Sequence, residues 1–174
     1  MRVLGAILAG GRSRRFGSDK AHARIGGLRL IDRVAQALAR QSAAVILCGR
    51  DEEGYAALSD RPGPGLGPLA GLNAALHHAA LSGFDHVLSC GCDVPDLPPD
   101  LLAQLGAEPG AAIAEEQPVV GLWPAALAPE CDEYLRGGDR SLYGFATRVD
   151  ARRVRIDPPL GNINRPSDLA GRWQ

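Results

Sequence analysis

The chain lacks an excess of charge of either sign. Its 174 residues include 19 lysines and arginines against 20 aspartates and glutamates, which gives a formal net charge of -1. A protein that binds the nucleic-acid backbone needs a basic surface, because the bound phosphates have to be neutralised. The composition therefore argues against a dedicated nucleic-acid binder, and we expect no nucleic-acid partner.

A long apolar segment is also missing. No run reaches the roughly eighteen apolar residues that a membrane-spanning helix needs. The first apolar run, residues 3–7, is too short for the apolar core of a secretory signal and leads directly into glycines. We therefore predict neither a membrane span nor a signal peptide, and we expect a cytoplasmic location with no membrane partner.

Cysteine and histidine pairs at zinc-ligand spacing are absent as well. The four cysteines are Cys48, Cys90, Cys92 and Cys131. Cys90 and Cys92 are too close together for a zinc knuckle, and no second pair accompanies them. The sequence predicts buried thiols in a reducing compartment.

The most informative segment follows the first apolar run. Residues 8–20 read Leu-Ala-Gly-Gly-Arg-Ser-Arg-Arg-Phe-Gly-Ser-Asp-Lys. Glycine lets backbone N–H groups approach an anion closely, and arginine and lysine bring positive charge to it. This pattern predicts a nucleotide-phosphate loop whose cations are Arg14, Arg15 and Lys20; the alternative is a surface turn without a ligand.

The spacing of this loop excludes two common phosphate-binding motifs. A Walker loop has four residues between its glycines and a lysine directly after the second, whereas Gly11 and Gly17 are separated by five residues and followed by Ser18. The Gly-x-Gly-x-x-Gly fingerprint of dinucleotide-binding dehydrogenases is not present either. A hydride-transferring enzyme is therefore disfavoured.

Strand and helix patterns alternate along the chain. Apolar residues recur at helical spacing from Leu30 to Leu38, residues 44–48 and 86–90 read as buried strands, and a short helix is predicted near residues 52–58. Such alternation predicts an α/β fold, a three-layer αβα sandwich with a Rossmann-like, mostly parallel sheet. The length suits one substantial core, so we predict a single domain over residues 1–174.

Three further motifs are predicted to surround the first loop. Asp93 lies just beyond the strand at 86–90 and could hold Mg²⁺, which prefers few carboxylates together with phosphate oxygens and water. Residues 67–71, Gly-Pro-Leu-Ala-Gly, open a helix whose N–H groups carry partial positive charge. Asn162 and Asn164 lie on one side of an extended segment before Pro166. The alternatives are a turn-capping role for Asp93 and cap chemistry for the asparagines.

The four motifs together resemble the molybdenum cofactor guanylyltransferases of the nucleotidyltransferase superfamily. The first loop is similar to the superfamily signature in its Leu-Ala-Gly-Gly form. The segments at 67–71, 92–95 and 162–169 are similar to the family's Gly-Pro-Leu-Ala-Gly, Cys-Asp-Met/Val-Pro and Asn-x-Asn-Thr-Pro-x-Asp/Glu-Leu. The chain departs from the family at Arg165, where threonine is usual, and at Gly49, where some relatives carry a base-contacting asparagine.

The resemblance implies transfer of GMP from GTP to the terminal phosphate of molybdopterin, with Mg²⁺ as cofactor and release of pyrophosphate. It also implies transient contact with cofactor-donor and molybdoenzyme proteins. The implied catalytic residues are Arg14, Arg15, Lys20 and Asp93, with Asp93 as the metal ligand. The implied nucleotide-binding residues are Leu8, Ala9, Gly10, Gly11, Lys20, Gly49, Asp60, Gly67, Pro68, Leu69, Ala70, Gly71, Asp93, Asn162 and Asn164.

Three other functions remain open at this point. A CTP-dependent molybdopterin cytidylyltransferase would share the fold, although its relatives tend to carry Leu-Ala-Ala-Gly in the first loop. Another small nucleotidyltransferase acting on a phosphate is also possible, although sugar-phosphate enzymes are usually longer. A non-catalytic nucleotide-binding delivery module would need the loop but not Asp93.

Overall fold

The computed structural model describes residues 1–10, 19–163 and 165–169. The helices and strands in chain order are β1 (Val3–Leu8), β2 (Arg24–Ile25), β3 (Leu28–Arg29), α1 (Leu30–Ala39), β4 (Ala44–Cys48), β5 (Ala57–Leu58), α2 (Pro68–Leu81), β6 (His86–Gly91), α3 (Leu101–Leu105), β7 (Ala112–Ala114), β8 (Gln117–Pro124), α4 (Ala128–Arg136), α5 (Leu142–Arg148) and β9 (Arg152–Val154). Short 3-10 turns occupy Lys20–His22, Ala125–Leu127 and Pro166–Leu169.

Seven of these strands form one sheet in the order β5-β4-β1-β6-β8-β7-β9. β1 pairs in parallel with β4 and β6, and β4 pairs in parallel with β5. β8 runs antiparallel to both of its neighbours, while β7 and β9 are parallel. The predicted mostly parallel sheet is confirmed, with β8 as its reversed strand.

The two faces of β1 pack into two separate hydrophobic clusters. Leu4 and Leu8 belong to a cluster that includes side chains of α2, α4 and α5. Val3 and Ile7 belong to a second cluster with α1 and α3. Every residue of β1 is buried, as expected for a central parallel strand covered on both faces. Helices therefore cover both sides of the sheet, which confirms the three-layer α/β prediction.

The prediction of a short helix near residues 52–58 is wrong. The segment ends in the two-residue strand β5, which extends the sheet beyond β4. The backbone N–H groups of Leu47 and Gly49 donate to the carbonyl oxygens of Ala56 and Leu58, each at 2.9 Å. The donors along the free edge of β4 need acceptors, and this requirement outweighed the local helical pattern.

None of the described helices is long and apolar enough to cross a membrane.

Candidate functional site

The carboxyl ends of β1, β4 and β5 bring Gly10, Gly49 and Asp60 together at one edge of the sheet. Gly49 has φ +86°, and a Cβ on it would lie 2.5 Å from the Cα of Gly10. The two backbones are therefore in direct contact. The asparagine that some relatives carry at position 49 has no room in this conformation, because its Cβ would overlap main-chain atoms rather than a movable side chain.

The carboxylate of Asp60 packs against three glycine backbones. Its Oδ2 lies 2.7 Å from the position of a Cβ on Gly10, and its Oδ1 lies 2.8 and 3.3 Å from the corresponding positions on Gly49 and Gly71. Oδ1 is buried and has no hydrogen-bond partner. Burial raises the pKa of Asp60 above its ordinary value. A buried acceptor without a donor is unfavourable, so an N–H donor that reached this oxygen would remove an energetic cost.

A cleft of about 230 Å³ opens beside Asp60. It is lined by residues 49–51, 58–60 and Pro64, which follow the ends of β4 and β5. Ligands of open α/β sheets bind in such crevices outside the carboxyl ends of the strands. The cleft contains Gly49 and Asp60, two of the nucleotide-binding residues that the resemblance implies.

The segment at 67–71 reaches Asp60, which lines this cleft, through Gly71. Gly67 has φ +73° and Pro68 is the first residue of α2, a proline position that suits the start of a helix. Leu69, Ala70 and Gly71 are buried, and a Cβ on Gly71 would lie 3.2 Å from the Cβ of Cys48. The first turn of α2 is thus packed against the end of β4, next to Asp60.

Lys20, Asp93 and the C-terminal segment meet at the end of β6. The Nζ of Lys20 is 3.4 Å from Oδ2 of Asp93, and Lys20 is 9% exposed. The backbone N–H of Ile163 donates to the carbonyl oxygen of Asp93 at 2.8 Å. Oδ1 of Asp93 lies against Gly91, where a Cβ would overlap it. Lys20 and Ile163, which are 73 and 70 positions from Asp93 in sequence, thereby both contact Asp93, one at its carboxylate and the other at its backbone carbonyl.

Asn162 adds an unpaired acceptor to the C-terminal segment. Its side-chain Oδ1 is buried and has no hydrogen-bond partner. Asn162 directly precedes Ile163, which is bonded to Asp93. Amide oxygens and carboxylates are both ligands that Mg²⁺ accepts. In the part of the chain that the structure describes, no three His, Cys, Asp or Glu side chains are grouped closely enough to hold a metal ion.

The structure reveals a residue that the sequence reasoning missed. Arg50 donates from Nη1 and Nη2 to the two carboxylate oxygens of Asp19, at 2.9 and 2.6 Å. Arg50 lowers the pKa of Asp19 to about 2, chiefly through these hydrogen bonds. The only signal in the sequence was the position of Arg50 directly after Gly49, at the end of a predicted strand.

The four cysteines are free thiols. Cys48, Cys90 and Cys131 are buried, as predicted, whereas Cys92 is half-buried beside Asp93. Burial, and after it the charge of Asp93, raises the pKa of the Cys92 thiol to about 11. All four thiols are therefore protonated at neutral pH.

The remaining predicted site residues lie at the end of β1 or outside the part of the chain that the structure describes. Leu8 and Ala9 are buried at the end of β1, and the N–H of Ala9 donates to the carbonyl oxygen of Cys48 at 3.0 Å. Gly11, Arg14, Arg15 and Asn164 lie outside the described residues, so their roles stay predictions.

Comparison with known proteins identifies the family of the chain. A family model described as MobA-like NTP transferase domain matches residues 5–152. The chain is 38% identical over 180 residues to the molybdenum cofactor guanylyltransferase of Rhodobacter capsulatus, covering 98% of this chain and 94% of the relative. It is 36% identical to the protein of that name from Rhizobium leguminosarum bv. trifolii, with 98% and 92% covered.

Two solved structures share the fold. Molybdopterin-guanine dinucleotide biosynthesis protein A from Archaeoglobus fulgidus has a TM-score of 0.75 at 23% identity, with 98% of this chain and 95% of the other covered. The 2-C-methyl-D-erythritol 4-phosphate cytidylyltransferase from Thermus thermophilus has a TM-score of 0.70 at 18% identity, with 98% and 95% covered. The resemblance read from the four motifs is confirmed, and the chain belongs to the family of MobA-like NTP transferase domains.

Proposed function

We propose that this protein transfers GMP from GTP to the terminal phosphate of molybdopterin, forming the guanine dinucleotide cofactor and releasing pyrophosphate. The relatives named molybdenum cofactor guanylyltransferase support this activity, because they match nearly the whole chain. The structural observation that carries it is the buried, unpartnered Oδ1 of Asp60 beside the cleft.

Asp60 suits guanine better than the other bases. Guanine presents two adjacent donors, N1–H and the 2-amino group, and a carboxylate can accept from both. Cytosine and adenine place a ring nitrogen lone pair next to their amino group, so one carboxylate oxygen would face another acceptor. The backbone groups of Gly10, Gly49 and residues 67–71 would enclose the base, since no bulky side chain projects from the glycines.

Lys20 would neutralise the triphosphate during the reaction. A terminal phosphate oxygen of molybdopterin attacks the α-phosphorus of GTP, a new P–O bond forms, and the bond to the β-phosphate breaks with its electron pair leaving on pyrophosphate. The nucleophile is already an anion and needs no general base, so catalysis rests on positioning and on charge neutralisation. Arg14 and Arg15 are proposed to share this role with Lys20.

Asp93 and Asn162 would hold Mg²⁺ together with oxygens of the phosphates. The donor set fits that ion, because one carboxylate, one amide oxygen and no protein cage leave coordination positions for the substrate. When bound, Mg²⁺ supplies charge neutralisation on the α-phosphate and the departing pyrophosphate. Asn164 is proposed as a further ligand-side contact on the same segment.

The remaining proposals concern partners and location. Molybdopterin is the proposed acceptor, and transient contact with cofactor-donor and molybdoenzyme proteins would follow from handling a labile cofactor. We propose a cytoplasmic location and a single domain over residues 1–174.

A CTP-dependent reaction is less well supported, because the unpaired acceptor of Asp60 favours a base with two adjacent donors. A delivery module without catalysis would not need the contact between Lys20 and Asp93.

The test is a transfer assay with each nucleotide in turn. The protein is incubated with molybdopterin, Mg²⁺ and GTP, CTP, ATP or UTP, and both pyrophosphate and the dinucleotide product are measured. We expect product with GTP and little with the others. Equal turnover of CTP and GTP would overturn the base assignment, and nucleotide binding without pyrophosphate release would support the delivery module.

A further inference from the structure

Arg50 connects the two parts of the proposed nucleotide site, the cleft at Asp60 and the turn that carries Lys20. Its side chain lines the cleft that also contains Asp60. Its guanidinium is bonded to Asp19, the residue before Lys20. A nucleotide with its base at Asp60 and its phosphates at Lys20 must therefore pass along Arg50.

The contact between Arg50 and Asp19 fixes the turn that carries Lys20. Both carboxylate oxygens of Asp19 accept from the guanidinium, an arrangement that sets orientation as well as distance. Oδ1 of Asp19 also accepts from the backbone N–H of Ala21 at 3.2 Å, which caps the turn Lys20–His22. The position of Arg50 is thereby transmitted to the backbone of Lys20.

A second carboxylate holds Arg50 itself. Nη2 of Arg50 donates to Oε2 of Glu52 at 3.2 Å. The Glu52 side chain is 9% exposed and also accepts from Arg29 at 2.6 Å. Isolated ion pairs at a protein surface contribute little. This arginine instead belongs to a connected, partly buried network, and its buried Nε has no hydrogen-bond partner.

We propose that Arg50 is a positioning residue of the nucleotide site: through Asp19 it holds the Lys20 turn so that the lysine ammonium faces Asp93 at the end of β6. This inference rests on the proposed function for the identity of the nucleotide. Because misplacing a reacting group by about 1 Å can cost on the order of 100-fold in rate, loss of this support is expected to reduce turnover.

The experiment compares Arg50→Ala, Arg50→Lys and Asp19→Asn with Lys20→Ala and with the double variant Arg50→Ala/Lys20→Ala. We expect Arg50→Ala to lower kcat/KM for GTP by about 10- to 100-fold. Arg50→Lys should recover only part of it, because an ammonium cannot bond both oxygens of Asp19 in a fixed plane. In the Lys20→Ala background, Arg50→Ala should cause little further loss, since no ammonium remains to be positioned.

The matched control is Arg2→Ala. Arg2 also donates two hydrogen bonds, to the carbonyl oxygens of Ser82 and Gly83 at 3.0 and 3.4 Å, but at the amino edge of the sheet. We expect its kcat and KM to equal those of the wild type. Thermal unfolding of every variant identifies any that fails to fold. If Arg50→Ala does not fold, Arg50→Lys and Asp19→Asn are compared with the wild type instead.

Two results would overturn the inference. One is an Arg50→Ala effect no larger than that of Arg2→Ala. The other is an Arg50→Ala effect of the same factor with and without Lys20, which would mean that the two residues act independently. Failure of the proposed function looks different, because the wild type would then bind Mg²⁺ and GTP without transferring GMP. The same set of variants, measured as GTP affinity by calorimetry, would in that case decide the role of Arg50.

Discussion

Oδ1 of Asp60 lies 2.8 Å from the position that a Cβ on Gly49 would occupy. The acceptor beside the cleft therefore fills the space that a side chain at position 49 would need. This glycine and this aspartate form one unit, in which the absence of a Cβ at one residue makes room for the carboxylate of the other.

We first predict that Gly49→Ala destabilises the fold by roughly 2 kcal/mol or more, since it combines a positive φ with main-chain overlap. The matched control is Gly54→Ala, because Gly54 has φ +88° but nothing within 4 Å of its Cβ position. Gly54→Ala should lower the free energy of unfolding by about 1 kcal/mol, because it strains the backbone conformation without causing an overlap. Chemical denaturation measures both, and equal losses would mean that the contact between Gly49 and Gly10 is not tight.

Second, Asp60→Asn should stabilise the unliganded protein while abolishing its preference for GTP. Removing an unpaired buried charge is worth about 1 kcal/mol, because the neutral amide is less costly to bury without a partner. The amide would also place an N–H donor toward the donors of guanine. Thermal unfolding with and without each nucleotide measures both effects. Glu53→Gln, at an exposed carboxylate on the same connection that is not part of the cleft lining, is the control and should leave GTP preference unchanged.

The sequence carried enough information for the fold and for the edge where the site lies. Leu30, Ile31 and Val34 are all fully buried on α1, as their spacing predicted. Once the strands are parallel, the residues after them must meet at one edge, so the convergence of Gly10 and Gly49 follows from the pattern itself.

What could not be predicted depended on contacts between distant segments. The helical pattern near residues 52–58 gave no hint that β4 had a free edge to be paired. The bond between Arg50 and Asp19 joins residues 31 positions apart, and no spacing rule connects them. The buried oxygens of Asp60 and Asn162 were also invisible in sequence, because lacking a partner is a property of the packed structure.

Third, GTP affinity should fall as the pH falls toward and through the pKa of Asp60, which burial raises above its ordinary value. Guanine recognition needs the ionised carboxylate, whereas folding favours the protonated form. Acid therefore weakens GTP binding while it lowers the free-energy cost of burying this side chain. The pKa shift of Asp19 has the opposite direction, because its pKa is lowered to about 2. Its contribution to stability is therefore present above the ordinary value of 3.8 and is lost as pH falls through about 2. Calorimetric GTP titrations across the acid range measure this pH dependence of GTP affinity. The pH dependence should be missing in Asp60→Asn, and its persistence there would assign it to another group.

Fourth, Asp93→Ala should abolish turnover while leaving the protein folded. The substitution opens no core cavity, and the backbone carbonyl that accepts from Ile163 is retained. Asp93→Asn keeps one oxygen ligand and should regain part of the rate at raised Mg²⁺. Asp100→Ala, an exposed carboxylate farther along the same connection, is the control and should behave as the wild type. Normal turnover of Asp93→Ala at ordinary Mg²⁺ would place the metal elsewhere.

The last prediction concerns Lys20, whose ammonium is buried 3.4 Å from Asp93 rather than extended into solvent. Lys20→Ala should lower kcat by about 10²- to 10³-fold, equivalent to roughly 3 to 4 kcal/mol, because the ammonium stabilises charge that develops on the departing pyrophosphate. Lys20→Arg keeps the charge but changes reach and geometry, so it should restore only part of the rate. Measuring kcat and KM separately distinguishes a contact made mainly in the transition state, which lowers kcat, from ground-state binding, which raises KM alone. Near-normal kcat and KM for GTP in Lys20→Ala would mean that the glycine-rich loop does not hold the phosphates, and the surface-turn interpretation of that segment would then be the better one.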